Sequence, residues 1–124
     1  MIYTPFVESM FDNGADVRYM QPVTGHGLAK IMRHKKPFRY AIESVPKPQD
    51  EFRLMQEAGP VETEEAYRAW NMGVGWVVFA PHSDSRKIEN ACVENNLRFY
   101  ELGEVQSGER EVVIAPLGVT YRPR

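Results

Sequence analysis

One cysteine is all this chain of 124 residues carries, so an intramolecular disulfide is excluded. Cys92 falls inside a helical pattern with no catalytic motif around it and reads as a buried structural thiol. Metal-ligand spacing is missing too. The three histidines and the single cysteine follow no ligand pattern, so no structural zinc is expected. No apolar run approaches the roughly 18 residues of a membrane helix, and Met1-Ile2-Tyr3-Thr4-Pro5 lacks the basic and apolar regions of a signal peptide. The expectation is a cytoplasmic protein with no membrane partner. A net charge of −2 leaves no basic face for nucleic acid. Positive residues do gather at Lys30, Arg33, Lys35, Lys36 and Arg39, read as a solvated helix end, with steering of a small anion as the alternative. Repeats and low-complexity segments are lacking.

What is present suits one domain over residues 1–124: 43% hydrophobic and 26% charged residues, enough to bury a core. Thr4-Pro5 reads as the opening of a helix, with Thr4 as N-cap and Pro5 in the first turn. Phe6, Val7, Met10 and Phe11 give it an apolar face, and Asn13-Gly14 ends it. Val17 to Met20 is a strand candidate. A helix from near Leu28 ends by His34 to Lys36, ahead of Pro37. Phe38 to Ser44 alternates as a strand, Gln49 to Ala58 is helical, and Glu62, Glu64 and Glu65 open another helix.

Val74 to Ala80 is almost continuously apolar, the pattern of a central strand covered on both faces. Ser83, Asp84 and Ser85 offer caps for a helix whose core side is Ile88, Ala91, Cys92 and Val93. Leu97 to Val105 reads as a strand joined through a hairpin-like turn at Gln106-Ser107-Gly108-Glu109 to a partner at Arg110 to Ala115. Gly118 to Tyr121 is a short edge strand. The order α-β-α-β-α-α-β-α-β-β specifies an α/β (α+β) fold, a mixed sheet with helices packed on it.

Gln21-Pro22-Val23-Thr24-Gly25-His26-Gly27 is the stretch around which the chain is organised. Glycines on either side of a histidine suit a loop that needs φ > 0 or a close approach. The free amides at the start of the next helix would make a seat for an anion. His26 is a candidate to bind phosphate or carry a proton, and Thr24 to bond an anion or cap the helix. Asn71, in the loop before the apolar strand, either faces a ligand or serves as a turn residue. Gly73 and Gly75 admit a ligand or neighbouring backbone. His34 reads as a helix-end charge and His82 as inert. Trp70 and Trp76 read as core, and Tyr67 and Tyr121 could reach a ribose or a partner.

Thr24-Gly25-His26-Gly27, then Gln56-Glu57-Ala58-Gly59, then Tyr67-Arg68-Ala69-Trp70-Asn71-Met72-Gly73-Val74-Gly75, in this order and spacing, resemble the C-terminal domain of phosphoribosylaminoimidazole synthetases (phosphoribosylformylglycinamidine cyclo-ligases). Leu102-Gly103-Glu104-Val105 fits the family's ending. The Asn-Met-Gly-Val-Gly block is the most specific part. The resemblance implies a partly ferredoxin-like α/β domain lining a substrate cleft. It also implies a part in the ATP- and magnesium-dependent cyclisation of formylglycinamidine ribonucleotide to aminoimidazole ribonucleotide.

In that family an N-terminal domain carries most of the ATP site, and it has no counterpart here. ATP and magnesium are therefore expected in the whole enzyme and not in this chain alone, which is expected to be inactive by itself. The implied partners are a phosphorylated ribonucleotide and an N-terminal ATP-binding domain or separate subunit. A homodimer through a surface left apolar is a further expectation. The implied site has His26 as the catalytic residue, with Thr24, Gly25, Gly27, Asn71, Gly73 and Gly75 binding substrate. One departure stands out: the family's histidine before Ile-Thr-Gly is Pro22 here, while His26 replaces a glycine. Two other classes remain: a stand-alone binding or regulatory module of the same fold, or half of another ATP-using enzyme of the superfamily.

Overall fold

The computed structural model describes residues 3–23, 27–70 and 72–123. The chain forms two compact units, one of Met1–Met20 with Val78–Tyr100 and one of Gln21–Val77 with Glu101–Arg124. Four α-helices are present among the described residues: α1 (Thr4–Asp12), α2 (Asp50–Ala58), α3 (Thr63–Ala69) and α4 (Ser85–Glu94). The strands are β1 (Tyr19–Pro22), β2 (Phe38–Ile42), β3 (Trp76–Phe79), β4 (Gly103–Ser107), β5 (Glu111–Ile114) and β6 (Val119–Tyr121). Short 3-10 helices cover Gly27–Met32, His82–Asp84 and Ala115–Leu117. The mixed α/β content agrees with the expected class, and no described helix is long and apolar enough to cross a membrane.

In the first unit α1 packs on α4, burying Phe6 and Met10 from one and Ile88, Ala91 and Cys92 from the other. The N-cap of α1 is Tyr3, not Thr4, which moves Pro5 to the second helical position, where its missing N–H costs nothing. Gly14, at φ +77°, turns the chain away after α1 as expected. Two residues assigned to the core lie outside it: Phe11 is 56% and Val93 69% exposed. A helical period identifies a face, but the width of that face depends on how much of it the partner helix covers.

Asp84 is the N-cap of α4 without capping through its side chain. Its carboxylate instead accepts the Asp16 amide at 2.7 Å and pairs with Lys87 at 3.3 Å. The Asp16 amide, foremost, holds its carboxyl below the usual range. Burial pushes the Cys92 thiol up to about 11, aided by Glu89. Because the unfolded thiol ionises near 9, this contribution to stability is complete below pH 9 and is lost as pH rises through about 11. Cys92 should accordingly resist iodoacetamide at pH 8 in the native chain and react at least about a hundredfold faster in urea. Equal rates, followed by mass spectrometry, would contradict its burial.

The second unit is built on a four-stranded sheet in the order β4-β2-β5-β6. β2 is central, antiparallel to β4 and parallel to β5, while β6 runs antiparallel to β5. One face carries Tyr40, Ile42, Val112, Ile114, Val119 and Tyr121, all buried. The 3-10 helix Gly27–Met32 lies against β2 and β5 and also packs on α3. The other face carries a polar row beside Ala41 and Val113. Glu104, Gln106, Arg39, Glu111 and Arg122 form a row of hydrogen bonds and ion pairs from β4 to just past β6.

The expected hairpin between the strands on either side of residues 106–109 does not form, because β2 lies between β4 and β5. Residues 108–110 cross the start of β2, where the Gly108 amide donates to the Pro37 carbonyl at 3.1 Å. The first of these strands spans only Gly103–Ser107, not Leu97 to Val105. Its register pairs Gly103 with Ile42 and Ser107 with Phe38.

The apolar run expected as a central strand is shorter and sits differently. β3 spans Trp76–Phe79, only Val77 of the four is fully buried, and its partner among the described strands is β1. Continuous apolarity does not distinguish a covered strand from a half-covered one. β1 itself runs Tyr19–Pro22, two residues later than Val17 to Met20. α2 forms where expected but buries no residue, leaving Leu54 and Met55 exposed. Trp70 and Trp76, read as core, are half-buried.

Candidate functional site

Two segments distant in sequence and rich in glycine come together in the second unit. On one side of the meeting point, the Val23 amide donates to the Gly75 carbonyl at 3.0 Å. On the other, Gly27 lies against the end of α3. A Cβ on Gly27 would fall 2.0 Å from the Tyr67 carbonyl oxygen, 2.8 Å from that of Trp70 and 2.9 Å from that of Arg68. Thr24, Gly25, His26 and Asn71 lie outside the described residues, but their flanks do not. Residues 23 and 27 are anchored to residues 75 and 67–70 respectively.

Two of the described glycines of the expected site have their own geometric reason. Gly27 needs both its φ of +56° and its missing Cβ. Gly73 needs only its φ of +93°, since nothing lies within 4 Å of the Cβ position. Gly75 is half-buried and contributes the carbonyl that receives Val23. Beside Gly73, Met72 is held at φ +49° with its side chain 1% exposed, an uncommon conformation for a non-glycine residue. Burial of its thioether chain holds this turn, and the sequence contained no sign of it.

The helix expected from Leu28 to His34–Lys36 is a six-residue 3-10 helix, Gly27–Met32. Its short length and poorer alignment weaken the dipole invoked for an anion seat. The groups that meet Gly27 are carbonyls from the last turn of α3, the end that favours positive charge and hydrogen-bond donors. Beyond Met32 the carbonyls turn to another partner: Arg110 donates from Nε to the Met32 carbonyl at 2.8 Å and from a terminal nitrogen to that of Arg33 at 3.2 Å. These residues are 78 and 77 positions apart, and no local pattern links them.

Tyr67 and Tyr121, considered able to reach a ligand, are both buried. The Tyr121 hydroxyl donates to the Glu64 carbonyl, and the Arg68 guanidinium stands 4.8 Å from the centre of its ring. Burial raises the Tyr67 phenol and pushes Tyr121 up to about 12, against the opposing effect of Arg68. Both stay neutral near pH 7, and Tyr121 ties β6 to α3. His34 and His82 are exposed, and His34 Nδ1 accepts the Lys36 amide at 3.2 Å. Among the described residues no group of three or more His, Cys, Asp or Glu side chains is placed to hold a metal ion.

No family model matches the chain. Curated relatives do. The chain is 32% identical over 111 residues to the phosphoribosylformylglycinamidine cyclo-ligase of Methanothermobacter thermautotrophicus, an alignment covering 90% of this chain and 32% of that protein. The protein of the same name from Methanocaldococcus jannaschii is 29% identical over 101 residues, 82% of this chain and 29% of its own. That of Methanopyrus kandleri is 29% identical over 98 residues, 79% and 28% respectively. The chain spans about a third of the length of the curated relatives it matches.

Proposed function

We propose that this chain, a relative of the phosphoribosylformylglycinamidine cyclo-ligases over 90% of its own length and 32% of theirs, serves as their C-terminal, substrate-side part. Its role is to hold formylglycinamidine ribonucleotide while ATP and magnesium act from a separate ATP-binding part. The observation that supports this reading is the meeting of Val23 with Gly75 and of Gly27 with Tyr67, Arg68 and Trp70, because these residues flank or belong to the two most distinctive motifs. The phosphate end of the ribonucleotide binds at Thr24 and Gly25, with Gly27 closing the loop against the α3 carbonyls, and His26 supplies an imidazole to the reacting end. On this reading Asn71, Gly73 and Gly75 also contact the substrate. With the ring-forming atoms held in place, catalysis rests on positioning and on stabilising the charge that develops.

Calorimetric titration of the chain with formylglycinamidine ribonucleotide, without and with ATP, tests this. Binding of the ribonucleotide alone is expected, together with shifts of the amide signals of residues 24–28. His26→Ala should weaken it by about tenfold, the size of one charge-assisted hydrogen bond. Amide signals of residues 24–28 that do not move at saturating ribonucleotide would remove the assignment.

The second reading, a non-catalytic module of the same fold, draws on Pro22, whose side chain can neither donate nor accept where the family places a histidine. The two part on one result. Supplying the ATP-binding two thirds of a relative as a separate chain should restore ring closure on the first reading and not on the second.

A further inference from the structure

Arg110 belongs to no motif, yet it holds one end of the 3-10 helix that Gly27 begins. The 3-10 helix Gly27–Met32 is roughly 12 Å long at about 2 Å per residue. At its start Gly27 is wedged against the carbonyls of Tyr67, Arg68 and Trp70. At its end the Arg110 guanidinium bridges the carbonyls of Met32 and Arg33. Arg110 comes from the crossover of residues 108–110, itself pinned by the Gly108 amide on the Pro37 carbonyl. A 3-10 helix this short has little cohesion of its own. Its position is set by what grips its two ends.

We propose that Arg110 is a positioning residue: its two hydrogen bonds fix the 3-10 helix along its axis and so set where Gly27 stands for a phosphorylated ribonucleotide. The functional half of this inference rests on the substrate reading above. Two planar, parallel donors make arginine suited to bridging adjacent carbonyls, whereas lysine offers a single point of contact.

Amide hydrogen exchange and chemical shifts of the free chain, followed by titration with formylglycinamidine ribonucleotide, test it. Arg110→Ala is expected to move the Gly27 signal, speed exchange over residues 30–33 and leave β2 and β5 protected, which shows that the sheet still folds. Ribonucleotide affinity should fall about tenfold. Arg110→Lys retains the charge but not the bridge, and should recover only a minor part of that loss. Unchanged exchange and shifts over residues 27–33 in Arg110→Ala would overturn the proposal. Full recovery of affinity with lysine would overturn it as well, since a charge attracting the anion from a distance would then account for the effect. Should the unaltered chain bind no ribonucleotide, the substrate reading fails, while the exchange result still decides whether Arg110 sets the geometry at Gly27.

Discussion

Gly27→Ala is expected to destabilise the chain by about 3–5 kcal/mol, at the upper end of single substitutions. Two penalties combine. A left-handed φ of +56° costs an L side chain roughly 1–2 kcal/mol. The added methyl would also overlap the Tyr67 carbonyl oxygen at 2.0 Å, backbone that cannot rotate aside, so α3 or the 3-10 helix must move. Gly73→Ala separates the two effects, because Gly73 has a φ of +93° with nothing within 4 Å of the Cβ position. That variant should lose only about 1–2 kcal/mol. Urea denaturation of both variants is the measurement. If Gly27→Ala is no more harmful than Gly73→Ala, the wedge of Gly27 against α3 is wrong.

Gly103→Ala should be nearly as harmful, for a different reason. Gly103 opens β4, and its Cβ would lie 1.8 Å from the Ala41 carbonyl oxygen and 2.9 Å from the carbonyl carbon. The strand must leave β2 locally to make room. β4 is an edge strand, so the chain can escape by detaching it rather than by unfolding throughout. The expected outcome is a loss of about 2–4 kcal/mol. With it should come faster amide exchange at Glu43 and Ser44, which both donate to the Leu102 carbonyl, at 2.7 and 3.1 Å. Exchange in β5 and β6 should change far less. Global unfolding, with all strands losing protection together, would show that β4 is not a separable edge.

The same two glycines show how much of the protein is legible along the chain. Gly27 stands out beside His26, because glycine next to a polar residue in a loop carries a local signal. Its actual neighbours, the carbonyls at the end of α3, lie some forty positions away and leave no trace there. Gly103 forms part of a family-like ending but gives no hint that it faces Ala41. Arg110 looks like one more surface charge. Spacing alone places Phe11 and Val93 in the core, and the structure exposes both.

Element type and approximate position were determined by the sequence itself, because the responsible forces act within a few residues. Pro5 admits a helix start, Gly14 ends that helix, and alternating Phe38 to Ile42 can satisfy a strand. Pairing was decided only by the tertiary structure. The turn residues at 106–109 favour a hairpin locally, but β2 offers β4 a full register from Phe38–Ser107 to Ile42–Gly103 and offers β5 a parallel one. A strand able to bury Tyr40 and Ile42 between two neighbours gains more from the centre of the sheet than a tight turn gains from closing directly. The candidate site has the same origin. Its two motifs can each be read along the chain, but their meeting depends on long-range contacts, whose energy no short stretch of sequence contains.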